Sequence, residues 1–128
     1  MTPGALAIED YLDDEELIAA TREDVRPRYR VYRLPRTTVV LGRGSNPAIE
    51  LELEACREDA VPVARRRGGG CAVVVDPGNL IVSVVLPVRG LGGNLAHFAA
   101  LAAWLAGGLE RVGIPGVQRE GHSDLILG

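Results

Sequence analysis

Three arginines run directly into three glycines, and these into a run of valines that closes on a turn: Arg65, Arg66, Arg67, Gly68, Gly69, Gly70, Cys71, Ala72, Val73, Val74, Val75, Asp76, Pro77, Gly78, Asn79. No other stretch restricts the possible folds as much. A guanidinium is permanently charged and grips phosphate or carboxylate with a two-pronged fork of donors. Consecutive glycines accept positive φ and let bare backbone N–H groups come close to a ligand. The valines that follow predict a buried strand that holds the loop rigidly. Together these parts read as an anion cradle beside a strand. The alternative is a basic loop at the tip of a surface hairpin, although a plain hairpin needs neither three glycines nor three arginines.

The 128 residues are one domain's worth of chain, and 47% hydrophobic with 24% charged residues is an ordinary globular composition. A net charge of -3 argues against bulk nucleic-acid binding. All fourteen basic residues are arginine, so these residues can supply no lysine chemistry. Cys56 and Cys71 are too distant in sequence for a CxxC metal pair and too few for a disulfide framework. They read as reduced thiols of a cytoplasmic protein. The N-terminal residues lack the pattern of a signal peptide, and the apolar stretch 95–109, broken by Gly107 and Gly108, is too short to span a bilayer. Neither nucleic acid nor a membrane is expected as a partner.

Along the chain, residues 5–21 set Leu6, Tyr11, Leu12, Leu17 and Ile18 among acids, which predicts a solvated helix. Tyr29 to Leu34 and Thr37 to Leu41 predict two strands of a hairpin, followed by a loop at Gly42, Arg43, Gly44, Ser45 and Asn46. That loop has neither Walker spacing nor a lysine. Pro47 to Asp59 predicts one helix capped by Asn46, with Cys56 on its core face rather than serving as a nucleophile. Val61 to Ala64 is a short strand leading into the arginines. Val73 to Val75 and Leu80 to Leu86 predict a second hairpin across Asp76–Asn79, its second strand central and buried on both faces. Leu95, Phe98, Ala102, Leu105, Leu109 and Val112 form one stripe of a helix capped by Asn94 and stopped by Gly113. His97 and Trp104 flank that stripe, and His97 reads as a partly buried histidine, not a metal ligand. Residues 121–128 begin a further strand whose backbone groups need a partner.

The order of Leu41-Gly42-Arg43, Asn46-Pro47, Arg65-Arg66 with its glycines, Gly78-Asn79 ahead of a strand with Ser83, and Ser123-Asp124-Leu125 resembles the lipoate-protein ligase A family, in the biotin and lipoate ligase superfamily. The resemblance runs from Tyr29 to Gly128. It implies an α/β fold with a mixed, largely antiparallel sheet flanked by helices, of the class II synthetase-like type. The chemistry it implies has two steps. The carboxylate of lipoate or octanoate attacks the α-phosphate of ATP, with Mg2+, giving an acyl-adenylate and pyrophosphate. The acyl group then passes to a lysine of a lipoyl carrier protein, a 2-oxoacid dehydrogenase domain or a glycine cleavage H-like protein.

By resemblance, Arg66 contacts the nucleotide phosphates. Gly69, Gly70, Cys71, Ala72, Val73 and Val74 line the adenylate and the acyl tunnel, with Gly68 and Gly69 toward the lipoyl group. Asn79 and Asp124 lie near the nucleotide and its Mg2+, with Asp124 as metal ligand. Arg65 either orients the acyl group or packs. Three departures from the family pattern concern the acyl contacts: Gly68 stands in place of a serine, Cys71 in place of a glycine, and Val75 where histidine is common. The family's lysine is expected shortly after Asp124-Leu125. Residues 1–128 are therefore expected to be the N-terminal part of a single catalytic domain that is completed by further sequence or by a second chain. Two other readings stand beside the ligase: an octanoyltransferase acting from acyl carrier protein through Cys71, and a non-catalytic acyl- or nucleotide-binding fragment. A biotin ligase shares the fold, but its loop does not look like Arg65–Gly70.

Overall fold

The β-branched run before Gly42 forms the centre of the sheet. The computed structural model of the protein describes residues 5–90 and 92–128. In it the strand β3 (Thr38–Leu41) lies between β4 (Val63–Arg65) and β5 (Val73–Val75), and β1 (Ile8–Asp10) closes the other edge, giving the order β1-β4-β3-β5. β3 runs parallel to β4, with Val39 opposite Val63 and Leu41 opposite Arg65, and antiparallel to β5, with Val40 opposite Val73. β1 is parallel to β4, with Asp10 opposite Arg65. Because side chains alternate along a strand, Val40 packs with Tyr11 and Leu34 on one face, and Val39 and Leu41 pack with Val63 on the other. Leu41 is 0% exposed. Burial of such a side chain stabilises the fold by about 1.5–3 kcal/mol, so the residue that leads into Gly42 is among the most firmly held.

A second, two-stranded sheet pairs β2 (Arg28–Tyr32) antiparallel with β6 (Ile81–Val85), and α1 (Glu15–Glu23) packs on both strands. Two short helices, α2 (Pro47–Glu50) and α3 (Leu53–Glu58), follow the Gly42 loop. Asn46 caps the first, its Oδ1 accepting from Ala48 N–H at 3.1 Å. Cys56 packs half-buried against the cluster of Val39, Leu41 and Val63.

The chain forms two compact units, Met1–Pro87 and Val88–Gly128. In the second, α4 (Asn94–Arg111) packs on a hairpin of β7 (Gln118–Glu120) and β8 (Asp124–Ile126), with Glu120 opposite Asp124. No helix among the described residues is long and apolar enough to cross a membrane.

Several sequence expectations are corrected. Residues 5–21 are not one helix: Ile8–Asp10 is an edge strand, and α1 starts at Glu15. Parallel edge pairing depends on backbone groups, so the strand is compatible with acidic side chains that all point to solvent. β2 does not pair with β3, and β5 does not pair with β6, so neither expected hairpin exists; each turn instead carries the chain from one sheet to the other. Among the described residues β6 pairs only with β2, and it is half-buried, not central. Val73 and Val74 are exposed because β5 is a sheet edge. The helix expected over Pro47–Asp59 is split at Leu51 and Glu52. Gly93, with φ of 81°, precedes α4 in the capping position expected of Asn94, and Gly113 is left-handed as expected, with φ of 92°. No residue of α4 is fully buried; Leu95, Phe98 and Val112 of the expected core stripe are exposed. The terminal strand has its partner in β7.

Candidate functional site

Two loops leave the carboxyl ends of the parallel strands β3 and β4 side by side, the position where open α/β sheets hold ligands. The first is 42–46 and the second is 66–72. They are fastened to each other by main-chain and hydroxyl hydrogen bonds. Arg43 N–H donates to Gly68 O at 2.8 Å, and the Ser45 hydroxyl, which accepts from Gly42 N–H at 3.1 Å, donates to Gly70 O at 3.3 Å. Gly42 lies so close to the second loop that an added Cβ would sit 2.0 Å from Gly70 O. Gly70 itself has φ of 93°, which a glycine adopts at little cost.

The three arginines divide the work of holding these loops. Arg65 reaches into the first loop and donates to the carbonyls of Gly42, Arg43 and Ser45 at 3.0, 3.2 and 2.9 Å. These three bonds hold the first loop to the end of β4. Arg66 turns back on its own loop, donating to Val40 O at 3.2 Å, Gly69 O at 2.6 Å and Cys71 O at 3.0 Å. Three donors are used, and a guanidinium has five. Arg67 reaches the first turn of α1, where its fork meets Glu15 Oε1 at 2.5 Å and Oε2 at 2.7 Å. The paired guanidinium holds the Glu15 carboxyl below its ordinary range, and the carboxylate in turn raises Arg67.

The start of α1 is also fixed from the core side. Tyr11, at the end of β1, shares a 2.5 Å hydrogen bond with the Tyr32 hydroxyl, which donates to Asp14 Oδ1 at 3.0 Å. Burial, reinforced by the Tyr32 bond, pushes the Tyr11 phenol well above its ordinary value, and burial likewise raises Tyr32. Both phenols stay neutral and structural. Glu50 of α2 accepts from Ala72 N–H at 3.2 Å, and that bond, with help from Ser45, lowers its carboxyl. None of Glu15, Glu50, Ser45 and Tyr32 was singled out by sequence reasoning. Glu15 and Arg67 are 52 positions apart, and no local pattern announces such a pair.

Two clefts result. One of about 310 Å³ is lined by Tyr11, Asp10, Glu15, Arg43 and Arg65–Arg67. The other, about 220 Å³, combines Arg66 and Arg67 with Ile18, Ser83, Val84 and Val85. The structure thus brings together Arg65, Arg66, Gly68, Gly69, Gly70, Cys71 and Ala72; Val73 and Val74 continue from them as β5. Cys71 is an exposed free thiol. Asn79 lies beyond the other end of β5, its Oδ1 accepting from Asp76 N–H at 2.8 Å within the turn. Asp124 is an exposed carboxylate on β8, in the Val88–Gly128 unit. No group of three or more His, Cys, Asp or Glu that could hold a metal occurs among the described residues. Cationic clefts with backbone donors and an adjoining apolar wall suit a phosphate or carboxylate attached to an apolar body.

Residues 5–128 match the family described as the lipoyl protein ligase A/B catalytic domain. The chain belongs to this family. Among curated relatives, the chain is 37% identical over 91 residues to a putative lipoate-protein ligase A of Aeropyrum pernix, an alignment covering 71% of this chain and 33% of that protein. It thus spans about a third of that relative's length. Among solved structures, it resembles a bi-partite lipoate protein ligase of Thermoplasma acidophilum studied with its E2 lipoyl domain, with a TM-score of 0.74 at 23% identity over 94% of this chain and 48% of that one. It also resembles a lipoate-protein ligase A bound with ATP, with a TM-score of 0.73 at 20% identity over 98% of this chain and 53% of that one. These likenesses establish the biotin and lipoate ligase fold expected from the resemblance.

Proposed function

We propose that the protein acts as a lipoate-protein ligase. An oxygen of the lipoate or octanoate carboxylate attacks the α-phosphorus of ATP, and the bond to pyrophosphate breaks, leaving an acyl-adenylate. The amine of a carrier lysine then attacks the acyl carbonyl, forming an amide and releasing AMP and a proton. The observation that carries this reading is the fastening of 42–46 to 66–72, which fixes cationic groups and glycine backbone beside the sheet before any ligand arrives. Such preorganisation stabilises developing charge without reorganisation at the moment of reaction.

In this reading Arg66 uses its remaining donors on the nucleotide phosphates, and Gly69–Val74 line the adenylate. The 220 Å³ cleft, with Ile18, Val84 and Val85 beside Arg66 and Arg67, is the acyl slot. The resemblance assigns Asn79 and Asp124 to the nucleotide end. Mg2+ needs only one or two carboxylates when phosphate oxygens complete its shell, so Asp124 suffices as its protein ligand, and the ion would neutralise phosphate charge. The 128 residues contain no lysine, so the activating lysine implied by the resemblance comes from sequence outside them, on the same or a second polypeptide. The partner is a lipoyl carrier domain, as supported by the likeness to a ligase studied with its E2 lipoyl domain, and the setting is cytoplasmic.

One observation favours a second reading: Cys71 presents a free, exposed thiol within the cradle, as an octanoyltransferase would require. ATP–pyrophosphate exchange dependent on octanoate or lipoate, measured with the lysine-bearing segment present, tests both. The ligase reading expects exchange that survives Cys71→Ala. Absence of exchange, together with transfer from octanoyl carrier protein that Cys71→Ala abolishes, would establish the transferase.

A further inference from the structure

The arginine triplet dominates the sequence, yet its guanidinium groups are already engaged. Arg65 is spread over three carbonyls of the first loop, Arg66 over three carbonyls around its own loop, and Arg67 over both oxygens of Glu15. Among the described residues lining the 310 Å³ cleft, Arg43 is the one arginine whose guanidinium has no hydrogen-bond or ion-pair partner. Its backbone is nonetheless held on both sides: its N–H donates to Gly68 O at 2.8 Å, and its carbonyl accepts from Arg65 at 3.2 Å. A side chain with five unused donors therefore rises from an anchored main chain into a cleft that four guanidinium groups share with the carboxylates of Asp10 and Glu15. Arg67 is paired with Glu15, which leaves Arg43, Arg65 and Arg66 against Asp10, and of these three Arg43 alone has no side-chain hydrogen bond to a carbonyl of the loops.

The geometry points to Arg43 as the residue that grips the oxyanion of the substrate, with Arg65 and Arg67 shaping the cleft around it and Arg66 adding the donors that its own loop leaves unused. This deepens the ligase reading and rests on it for the identity of the anion: a nucleotide phosphate or the acyl carboxylate. A planar fork takes either group bidentately, whereas an ammonium cannot. Arg65 and Arg67 become positioning residues by the same assignment, and their loss acts through the loops instead of through direct contact.

Calorimetric titration of the protein, and of its Arg43→Ala and Arg43→Lys variants, with inorganic pyrophosphate, ATP and octanoate separates the possibilities. Arg43 is exposed, so both variants are expected to keep the parent's thermal midpoint. A loss of tenfold or more in pyrophosphate and ATP affinity in Arg43→Ala, with octanoate unchanged, supports the assignment and gives the phosphate as the anion. The same loss confined to octanoate supports it with the carboxylate as the anion. Arg43→Lys should recover only part of either loss. Affinities unchanged in all three titrations, or a parent protein that binds none of the ligands, would overturn the role of Arg43. Pyrophosphate bound through Arg43 while ATP and octanoate both fail to bind would retain the site and refute the ligase reading instead.

Discussion

Gly42→Ala tests the joining of the two loops. The new methyl would meet Gly70 O at 2.0 Å and the carbonyl carbon at 3.0 Å, both of them backbone atoms that no rotamer change can move away. Ordinary contact begins at 3.4 Å, so the loops must part. That displacement removes the Ser45–Gly70 hydrogen bond and stretches the one from Arg43 N–H to Gly68 O. Each such bond contributes about 0.5–1.5 kcal/mol net, and overpacking of a closely packed site costs about 1–3 kcal/mol. A destabilisation of roughly 2–4 kcal/mol is therefore expected. In urea, with a slope of about 1–3 kcal/mol/M for a domain of this size, the midpoint should fall by roughly 1–2 M. Pyrophosphate affinity should fall with it, because both loops supply the cradle. Gly44→Ala is the control: nothing lies within 4 Å of its built Cβ, and its stability should stay within about 0.5 kcal/mol of the parent. If Gly42→Ala matched Gly44→Ala in midpoint and affinity, the close approach of the loops would be refuted.

Three further outcomes are expected. Tyr32→Phe removes the hydroxyl between Tyr11 and Asp14 and strands a buried phenol, at a cost of about 1–3 kcal/mol; Tyr11→Phe should cost less, and urea unfolding of the two variants checks the order. Leu41→Ala, at a position with 0% exposure, should cost about 2–5 kcal/mol by the same measurement. Glu15 and Glu50 both have carboxyls lowered from an ordinary 4.5, so the stability they add is present above that value and lost as pH falls below it toward their folded values. The thermal midpoint of the parent should therefore drop more steeply below pH 4.5 than that of Glu15→Gln or Glu50→Gln; parallel curves would show that neither pair contributes.

The β-rich runs were legible because β-branched residues mark strands wherever they pair: Thr38–Leu41 and Ile81–Val85 lie where the pattern predicts them. Pairing was not legible. Asp76–Asn79 makes the turn its residues predict, with Gly78 N–H donating to Asp76 Oδ1 at 2.8 Å, but a tight turn can also pass a chain between sheets. Ile8–Asp10 was hidden because its strand character lies in the backbone ladder to β4. In the site, the arginine and glycine residues stood out by composition, whereas their hydrogen-bond partners are carbonyls that any residue can provide. Among the described residues lining the 310 Å³ cleft, the arginine without a side-chain partner belongs to the first loop and not to the triplet, and that lack of a partner is a property of the packed loops alone.

In the proposed function, loops 42–46 and 66–72 together form one oxyanion cradle for an acyl-adenylate. A crystal structure of the protein, with its lysine-bearing segment, bound to a non-hydrolysable lipoyl-adenylate tests this most directly. The phosphate mimic is expected between the Arg43 guanidinium and the backbone of Gly69 and Gly70, with the acyl chain beside Val84 and Val85. An analogue bound away from both loops would contradict it.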